Sequence, residues 1–382
     1  MLATCGPQQW PFTEGSMNGK KRLYDDGIFP TAFGKATFKI TPYKTVAEPV
    51  DARYPLALTT GRLRDQWHGM SRTGRVPQLY GHEPEPMLTM NMNDAARRGL
   101  VAGEVLKVAS RRGELLVRLA VSDDVRSAQC YLPMHWGKLS LSSAGSHGIN
   151  ALTNGAFDPI SKQPELKHTA VRVERAQLPW QLVAFAYVGG RDPVAVCDEL
   201  REIARSFSDA CFASTTLIGN THPGVVLRIS LSKAPDRAAL EQIDRVLGLT
   251  GDAALAYDDA RKNLSRRVKV EDGRLTGVRL AGDLAAEIWM HDFFLTGASV
   301  IALRRRLLVG SASAPQGFKP RGKVVCNCFN VTKSEIVDFF ATSSVDGHQK
   351  LSALQAEKKC GTNCGSCLPE LRTLVASSRA AA

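Results

Sequence analysis

The feature that most limits how this chain can fold is a group of cysteines near its end. The stretches "VVCNCFNVT" and "KCGTNCGSCLPEL" contain a Cys-x-Cys pair, a Cys-x2-Cys pair and one further cysteine. Thiolates at such spacings bind zinc or an iron–sulfur cluster, because both prefer soft sulfur ligands in a roughly tetrahedral arrangement. The segment must therefore fold so that distant thiolates meet. Its cysteines are Cys326, Cys328, Cys360, Cys364 and Cys367.

The Cys-x-Cys spacing favours iron and sulfide over zinc. Structural zinc usually takes two Cys-x2-4-Cys knuckles, which a single intervening residue fits poorly, so zinc is the less favoured alternative. Disulfide frameworks are typical of small secreted domains, and the first thirty residues lack the apolar core of a secretory signal. Four cysteines stand alone and are expected to be small core residues: Cys5, Cys130, Cys197 and Cys211.

Length and composition indicate a folded protein of two or three domains. The 382 residues are 44% hydrophobic, which is enough to build large cores, and no run of eighteen apolar residues suggests a membrane span. We therefore expect a cytoplasmic protein that does not insert into a membrane. The net charge of +12 suits an anionic cofactor or an acidic partner. The arginines are dispersed, and no basic tract with interleaved aromatics predicts a nucleic-acid surface.

Two linker-like stretches divide the chain. Residues 41–55 and 311–322 are rich in Pro, Gly, Ser or charge and lack apolar periodicity, and a softer boundary falls within 176–192. We expect a leader, a mostly β unit, an α+β unit and a small helical unit. Their predicted bounds are residues 1–50, 51–178, 179–312 and 320–378.

The first two of these folded units carry clear turn and helix signals. In the β unit, Arg112 and Gly113 are predicted to turn a hairpin, and "MNDAARRGL" is predicted to form a helix capped by Asn93 or Asp94. In the α+β unit, helical "DPVAVCDELREIARSF" and "DRAALEQIDRVLGL" alternate with strand-like "STTLIG" and "GVVLRISL". A second hairpin is predicted at "VEDGRL".

Helices are predicted to follow both cysteine groups. Thr332 and Glu335 have capping-box spacing ahead of one helix, and "SCLPELRTLVASS" starts another at the second group. The amino termini of such helices direct amides and a positive partial charge at whatever the thiolates bind. This arrangement suits a cluster of net negative charge.

The cysteine segment resembles the bacterioferritin-associated-ferredoxin-like [2Fe-2S] domain found at the end of several nitrogen-assimilating reductases. The resemblance rests on "VVCNCFNVT" followed by "CGTNCGSCLPEL". It implies a [2Fe-2S] cluster with the metal ligands Cys326, Cys328, Cys364 and Cys367. Cys360 is then left over as a spare or packed thiol.

Residues 1 to about 175 resemble the carboxy-terminal molybdopterin-dinucleotide-binding domain of assimilatory nitrate reductases. The resemblance rests on "LTTGRLRDQWHGMSRTGRVPQL", "MNMNDAARRGLVAGEVLKVASRRGEL", "LPMHW" and "INALTNGAFDPISKQPELK". It implies a six-stranded double-psi β-barrel that binds molybdenum bis(molybdopterin guanine dinucleotide). The implied fold class is multidomain, with this barrel, an α+β connector and a small α-helical [2Fe-2S] domain.

The residues in these motifs suit an anionic pterin cofactor. A strand ending in "TTG" lets backbone amides approach phosphate closely, and nearby arginines can neutralise its charge. Taken singly, each residue has a simpler interpretation, such as a solvated arginine, a structural histidine or a polar turn residue. The resemblance implies cofactor contacts from Thr60, Gly61, Arg62, Arg64, Trp67, His68, Ser71, Arg72, Thr73, Asn93, His135, Asn150, Asp158, Gln163 and Lys167.

The middle unit is similar to the segment that joins the two cofactor domains in these reductases. It contains no Gly-x-Gly-x-x-Gly fingerprint, so neither flavin nor nicotinamide is expected to bind there. Its predicted role is packing and partner docking.

The resemblance implies a larger enzyme. A reductase of this family also needs a four-cysteine motif for a [4Fe-4S] cluster and a protein ligand to molybdenum, and no cysteine pair follows Cys5. We therefore expect the carboxy-terminal part of a nitrate reductase catalytic subunit, inactive alone, with no catalytic residue of its own. The expected donor is a ferredoxin, a flavodoxin or a nicotinamide-linked reductase subunit. Electrons would pass through the [2Fe-2S] cluster and the missing [4Fe-4S] centre to molybdenum, where nitrate becomes nitrite.

Two alternatives belong to other functional classes. The chain could be a non-enzymatic iron–sulfur electron carrier or redox partner whose barrel does not bind pterin. It could also be a zinc-stabilised scaffold. Cofactor content discriminates among the three, because zinc protein is colourless and [2Fe-2S] protein is brown-red.

Overall fold

The structure, a computed structural model, divides into two compact units, residues 1–45 and 46–382. In the first unit the described residues form turns and bends without a helix or strand. Cys5 lies outside the described residues, whereas every predicted cofactor and metal residue lies within them. The structure describes residues 10–12, 14–15, 19, 22–141, 148–207, 211–303, 305–309, 314–343 and 349–380.

A closed six-stranded barrel forms the first part of the larger unit. Its strands are β1 (Leu56–Gly61), β2 (Met87–Met90), β3 (Val105–Ala109), β4 (Glu114–Val121), β5 (Gln129–Pro133) and β6 (Thr169–Arg175). They are joined in the order β1-β5-β2-β4-β3-β6. The pairs β1 with β5 and β2 with β4 are parallel, and the other four pairs are antiparallel. The predicted six-stranded barrel is therefore confirmed.

Alternating side chains fill the barrel. Along β4 the side chains of Leu115, Val117 and Leu119 are buried, and the residues between them are more exposed. This period of two is typical of a strand with one face in a core. The predicted turn at Arg112 and Gly113 is confirmed, because β3 and β4 are antiparallel neighbours on either side of it.

The predicted helix in "MNDAARRGL" is present as α1 (Met92–Arg97), but its predicted cap is wrong. Asn91 caps the helix and accepts the backbone N–H of Asn93 at 3.0 Å. A cap must precede the first helical residue, and both proposed residues already lie inside the helix. Asp94 is buried and accepts the backbone N–H of Ala128 at 2.6 Å, which ties α1 to the turn before β5.

An antiparallel sheet of six strands follows the barrel. Its strands are β7 (Trp180–Tyr187), β8 (Cys211–Ile218), β9 (Gly224–Leu231), β10 (Ala254–Asp259), β11 (Leu264–Glu271) and β12 (Arg274–Ala281), and its helices are α2 (Pro193–Arg205), α3 (Arg237–Val246) and α4 (Glu287–Thr296). The strand order is β10-β11-β12-β7-β9-β8. Helix α2 packs on β8, β9 and α3, while α4 packs on β12. We call this part the connector.

Strand β7 supplies side chains to two cores. Leu182, Ala184 and Ala186 belong to a core that continues into the barrel. Val183 and Phe185 belong to a second core, which includes residues of α4. Because alternate residues of a strand point to opposite faces, the sheet separates the two cores. The barrel and one face of the connector therefore share a single apolar core.

Turn and helix signals in the connector are confirmed. Asp272 and Gly273 have φ values of 49° and 74°, as a two-residue hairpin between β11 and β12 requires. Helix α2 begins after Asp192, whose side chain accepts the backbone N–H of Val194. Pro193 occupies the first helical position, where its missing N–H costs nothing.

A buried ion pair joins α3 to the sheet. Arg279 is fully buried, and its Nε and Nη2 donate to the two carboxylate oxygens of Asp244 at 2.6 and 2.9 Å. Nη2 also donates to Ser265 Oγ at 3.0 Å. Since a buried charge is tolerated only when it is paired and hydrogen-bonded, these contacts fix α3 in place.

A small domain with its own core contains the cysteine group. Its elements are β13 (Val324–Cys326), β14 (Val331–Thr332), α5 (Lys333–Thr342), α6 (Lys350–Lys358) and α7 (Leu368–Ala380). The capping box is confirmed, because Thr332 and Glu335 satisfy each other's backbone N–H. The predicted small α-helical domain has three helices in its described residues, and the β13–β14 hairpin adds two strands that are too short to leave a period in the sequence. Within the parts of the chain described here, every helix is too short or too polar to cross a membrane.

Candidate functional site

The five clustered cysteines meet at one end of the small domain. Cys326 ends β13 and Cys367 immediately precedes α7, so a strand and a helix bring distant thiols together. Cys326, Cys360 and Cys367 are buried in the domain core, whereas Cys328 and Cys364 are exposed. The Sγ atoms of Cys328 and Cys364 lie 3.3 Å apart. All four predicted ligands are therefore in the same cluster.

Two of the predicted ligands are favoured as thiolates. The pKa of Cys326 is lowered to about 5, first because the Cys360 thiol donates to its sulfur and then because the backbone N–H groups of Gly361 and Phe329 do so. Burial opposes this shift. The pKa of Cys364 is lowered chiefly by the hydroxyl of Ser366, which lies 3.2 Å from its sulfur. Hydrogen bonds to a charged form stabilise it, so both sulfurs are prepared to bind metal.

The exposed pair of thiols has roughly the spacing of two ligands on one metal. Two thiolates on one tetrahedral metal lie about 3.8 Å apart when each metal–sulfur bond is about 2.3 Å, close to the 3.3 Å between Cys328 and Cys364. A [2Fe-2S] cluster takes two ligands on each iron. One exposed pair and the buried Cys326 and Cys367 match that requirement.

Cys360 is the cysteine that the predicted ligand set leaves over. It is fully buried, and its thiol donates to Cys326. This contact, followed by burial, raises the pKa of Cys360, so it stays a neutral thiol. The structure places it beside the ligands as a packed hydrogen-bond donor.

Strand β1 delivers the predicted cofactor loop at its carboxyl end. Thr60 and Gly61 end the strand, and the Thr60 hydroxyl donates to the carbonyl oxygen of Leu132 on β5 at 2.8 Å. The backbone N–H of Leu63 donates to His135 Nε2 at 3.0 Å, which ties the loop after β1 to the loop after β5. The two parallel strands thus bring Thr60, Gly61 and His135 to one end of the barrel.

A cavity of about 490 Å³, here called the barrel-end cavity, lies beside these loops and α2. Ser71, His135 and Asn150 line it, so three predicted residues meet there. His135 Nδ1 and Trp136 Nε1 also belong to lining residues, and both atoms are buried without a hydrogen-bond partner among the described residues. Because buried polar groups are normally paired, they fit a ligand rich in oxygen and nitrogen acceptors, as a pterin dinucleotide is.

His135 is held in its neutral form. Burial lowers its pKa and the neighbouring His68 adds to the effect, while a contact with the backbone of Trp67 opposes both. Since Nε2 accepts from Leu63, the neutral ring carries its proton on Nδ1. His135 therefore adds no charge to the cavity.

The loop from Trp67 to Thr73 is fixed by its own contacts. Thr73 Oγ1 donates to Gln66 at 2.6 Å and accepts the backbone N–H of Trp67 at 3.0 Å. The Arg72 guanidinium lies 5.1 Å from the centre of the Trp67 ring, and the rings of Trp67 and His68 meet edge to face. The loop thus presents exposed aromatic and cationic groups.

The remaining predicted cofactor residues are exposed and do not line the barrel-end cavity. Asp158 accepts the backbone N–H of Ser161 at 2.7 Å, so its side chain closes an ordinary turn. Their cofactor contacts stay predictions. These residues are Arg62, Asn93, Asp158, Gln163 and Lys167.

Arg64, predicted to neutralise cofactor charge, contacts the small domain. Its Nη1 donates to Glu370 at 2.8 Å, and its Nη2 donates to the carbonyl oxygen of Val325 at 2.7 Å. The next residue, Asp65, accepts the hydroxyl of Ser366 at 3.2 Å. The loop after β1 therefore docks the cysteine site on the barrel. Sequence reasoning missed Asp65, Ser366 and Glu370, because no local pattern links residues so far apart.

A second cavity, of about 420 Å³, lies where the barrel, connector and small domain meet, and we call it the junction cavity. Its lining includes His82, Arg228, His291 and Lys323. Burial lowers the pKa of His291 to about 4, and Arg228 adds to the effect. Burial also lowers the pKa of His82 to about 3, with Lys323 adding. Both imidazoles at this junction are therefore neutral near pH 7.

Comparisons with known proteins match the barrel and the small domain to two domain families. Residues 56–170 match the family described as "Molydopterin dinucleotide binding domain". Residues 324–377 match the family described as "BFD-like [2Fe-2S] binding domain". The predicted cofactors, molybdenum bis(molybdopterin guanine dinucleotide) and [2Fe-2S], are those that these two domain types bind.

Nitrate reductases resemble almost the whole chain. The one from Klebsiella oxytoca is 30% identical over 390 residues, covering 98% of this chain and 39% of the relative. The one from Shewanella frigidimarina is 24% identical over 405 residues, covering 96% of this chain and 39% of the relative. The chain thus spans well under half the length of these relatives.

A formate dehydrogenase resembles a shorter part. The F420-dependent formate dehydrogenase subunit alpha of Methanocaldococcus jannaschii is 34% identical over 166 residues, which cover 44% of this chain and 23% of the relative. Enzymes with different substrates therefore share part of this sequence, whereas the nitrate reductases match nearly all of it. The chain therefore contains one segment that matches a molydopterin dinucleotide-binding domain and one that matches a BFD-like [2Fe-2S] binding domain, and nearly its whole length is similar to part of the nitrate reductases.

Proposed function

We propose that this chain is the carboxy-terminal portion of the catalytic subunit of an assimilatory nitrate reductase. The complete enzyme adds two electrons and two protons to nitrate and releases nitrite and water. In this chain the barrel binds molybdenum bis(molybdopterin guanine dinucleotide), and the small domain holds a [2Fe-2S] cluster that receives electrons.

The observation that carries the proposal is the contact between the cysteine site and the loop after β1. Arg64 and Asp65 bond to Val325, Ser366 and Glu370, which are neighbours of the predicted metal ligands. The same loop continues into the predicted pterin contacts. One loop therefore touches the electron-transfer site and belongs to the cofactor-binding end of the barrel.

The chain's own residues bind and orient the cofactor, which supplies the redox chemistry when bound. His135 and Trp136 donate N–H groups in the barrel-end cavity, and Ser71 and Asn150 lie on the same lining. Arg72, held over Trp67, brings positive charge toward an anionic ligand. A cofactor that filled the cavity would displace water from it, and these hydrogen bonds would then be stronger.

Two structural details belong to this proposal. The barrel is of the double-psi type, and the parallel pairs β1/β5 and β2/β4 support that assignment. We place the domains at residues 51–178, 179–312 and 320–378; the strands and helices fall within these bounds except for the end of α7, which runs to Ala380.

The electron donor is a separate protein that meets the exposed side of the cysteine cluster in the cytoplasm. Cys328 and Cys364 are exposed there. The net charge of +12 supports an acidic donor, such as a ferredoxin or flavodoxin, over a nicotinamide-linked reductase subunit. If the activity of the complete enzyme did not change with ionic strength, steering by charge would be contradicted.

Cofactor analysis tests the proposal. Chain purified without air should contain two irons and two sulfides and, after reduction with dithionite, give a rhombic EPR signal. Chain produced in cells that make the molybdenum cofactor should release guanine nucleotide on acid treatment. One zinc without sulfide, or a cluster without bound nucleotide, would contradict it. Because the chain spans 39% of its nitrate reductase relatives, we expect no nitrate reduction by these residues alone, and robust turnover would contradict that expectation.

A further inference from the structure

We propose that Arg64 is a positioning residue for electron transfer, which docks the [2Fe-2S] domain on the barrel and favours the reduced cluster through its positive charge. The inference rests on the proposed function, since it requires the cluster at the predicted cysteines. This role of Arg64 in docking and redox tuning differs from the predicted neutralisation of cofactor charge.

Arg64 contacts both segments that carry the buried ligands. Its Nη2 bonds to the carbonyl oxygen of Val325, the residue before Cys326. Its Nη1 bonds to Glu370, in the first turn of α7, which begins directly after Cys367. A guanidinium is planar and offers donors in fixed directions, so one side chain can hold two separate acceptors. The strand and the helix that present the ligands are thus held to the loop after β1.

Two further polar contacts lie at this docking surface. Asp65 accepts the hydroxyl of Ser366 at 3.2 Å, and Lys323 donates to Glu83 at 2.9 Å. The buried core of the small domain contains only its own residues. Directional contacts therefore contribute to the docking, and Arg64 makes two of them.

The charge of Arg64 affects the redox state of the cluster. Reduction transfers one electron from the external donor to the cluster, and the cluster then carries one more negative charge. A cation held beside the ligand segments stabilises that charge, whereas Asp65 and Glu370 oppose it. The side chains of Arg64 and Asp65 are 21% and 7% exposed, so these charges are screened less than on an open surface. Removal of Arg64 leaves two carboxylates unbalanced and disfavours the reduced state.

The midpoint potential of the cluster in the purified 382-residue chain, followed by EPR during redox titration, tests the proposal. Arg64→Gln removes the charge, and the ratio of reduced to oxidised cluster at a fixed potential should fall about tenfold, which is about 59 mV for one electron. Glu370→Gln removes the opposing charge and should shift the potential in the positive direction. These opposite signs separate an electrostatic effect from a general loss of structure.

Three further measurements complete the design. Arg64→Lys keeps the charge but cannot hold both acceptors, so its potential should stay near that of the wild type. Hydrogen exchange should nevertheless become faster in the loop after β1 in both Arg64 variants. Arg237→Gln makes the same charge change on the exposed side of α3, where Arg237 pairs with Glu241, and should leave the potential unchanged.

The outcomes distinguish a wrong role for Arg64 from a wrong proposed function. Opposite shifts in Arg64→Gln and Glu370→Gln, with little shift in Arg64→Lys, support the proposal. Shifts of the same sign, or unchanged potentials in both variants, overturn it. If Arg64→Gln fails to assemble a cluster, Glu370→Gln decides alone, and the absence of a positive shift overturns the proposal. A wild-type chain without any [2Fe-2S] cluster contradicts the proposed function instead.

Discussion

The barrel and the small cysteine domain are stabilised in different ways. The barrel shares a continuous apolar core with one face of the connector, to which β1, β3, β4 and β7 all contribute. The small domain has a separate core in which three of the ten buried residues are cysteines. Its contacts with the barrel through Arg64, Asp65 and Lys323 are polar. The barrel is therefore stable through burial of apolar surface, whereas the small domain depends on whatever its thiols bind.

Loss of a predicted metal ligand should have the largest effect and should affect the small domain much more than the barrel. Cys326→Ser removes a buried thiolate that the cluster needs, so the [2Fe-2S] cluster should be absent and the small domain should unfold. The barrel and connector should keep their structure, because their cores contain none of the clustered cysteines. Iron and sulfide content, visible absorption and near-UV circular dichroism would measure the two parts separately.

Cys360→Ala is the matched control for that variant. It removes another fully buried thiol of the same core, but one outside the predicted ligand set. The cluster should remain at full occupancy, with a cost of about 1–3 kcal/mol in the free energy of unfolding of the domain from the space left behind. Loss of the cluster in Cys360→Ala, with retention in a Cys364→Ser variant, would show that the ligand set is wrong.

Arg279→Met should strongly destabilise the connector without affecting the cluster. It leaves Asp244 buried, with Arg267 at 3.6 Å as its remaining close cation. Breaking a buried ion pair from one side typically costs about 3–5 kcal/mol. Urea unfolding followed by tryptophan fluorescence would measure the cost.

Two variants control for the loss of the guanidinium. The combination of Arg279→Met with Asp244→Leu should recover much of the stability, because no unpaired charge remains. Arg237→Gln, on an exposed pair, should change the free energy of unfolding by less than about 1 kcal/mol. Equal costs for Arg279→Met and Arg237→Gln would contradict the interpretation.

Acid should destabilise the folded protein through His291, which lines the junction cavity between the barrel, the connector and the small domain. The folded pKa of His291 is about 4, against 6.5 for an unperturbed histidine. The unfolded chain therefore binds a proton that the folded chain does not, and the free energy of unfolding falls as the pH drops from about 6.5 to about 4. One pKa unit corresponds to about 1.4 kcal/mol, so the loss is up to about 3 kcal/mol.

Unfolding of the wild type and His291→Asn at pH 7 and pH 4.5 would check this sign. The variant removes the titrating imidazole, so its stability should fall less between the two pH values. The half-buried His82, whose folded pKa is about 3, should cause part of the remaining fall in stability. A fall of the same size in both proteins would exclude His291 as the cause.

The smallest expected effect concerns the helix that follows the first cysteine pair. Thr332→Ala removes the side-chain half of the capping box that opens α5, which should cost about 1 kcal/mol. Thr332→Ser retains the hydroxyl and should cost less. Thermal unfolding of the holo and iron-free proteins would measure the effect, and it should be larger without iron, where the cap carries more of the stability.

Local features of the fold could be predicted from the sequence because their causes are local. The Thr332–Glu335 box and the turn at Asp272 and Gly273 depend on residues within one turn of the chain. The cysteine spacing indicated a metal site, and the resemblance supplied its ligand set. The cap of α1 was misplaced because Asn91, Asn93 and Asp94 are all good capping residues, and only the helix start distinguishes them.

Features that depend on distant contacts left no such signal. Arg64 and Glu370 are 306 residues apart, and nothing near either predicts the other. Strand β10 has three exposed and three half-buried side chains and none that is fully buried, so its sequence lacks the alternation that identifies other strands. The division of the β7 side chains between two cores likewise depends on which elements pack on each face of the sheet. Tertiary packing determined all three.

The position of β7 between two cores affects the order in which this protein can fold as it is synthesised. The barrel strands end at Arg175, but Leu182, Ala184 and Ala186 complete the core that the barrel shares. A nascent chain that stops after β6 has an open apolar side until the ribosome has made the connector strands. Domains usually fold from the amino terminus during translation. We therefore expect the apolar side of the barrel to stay uncovered until the connector strands have been made, and chaperones to bind it during that time.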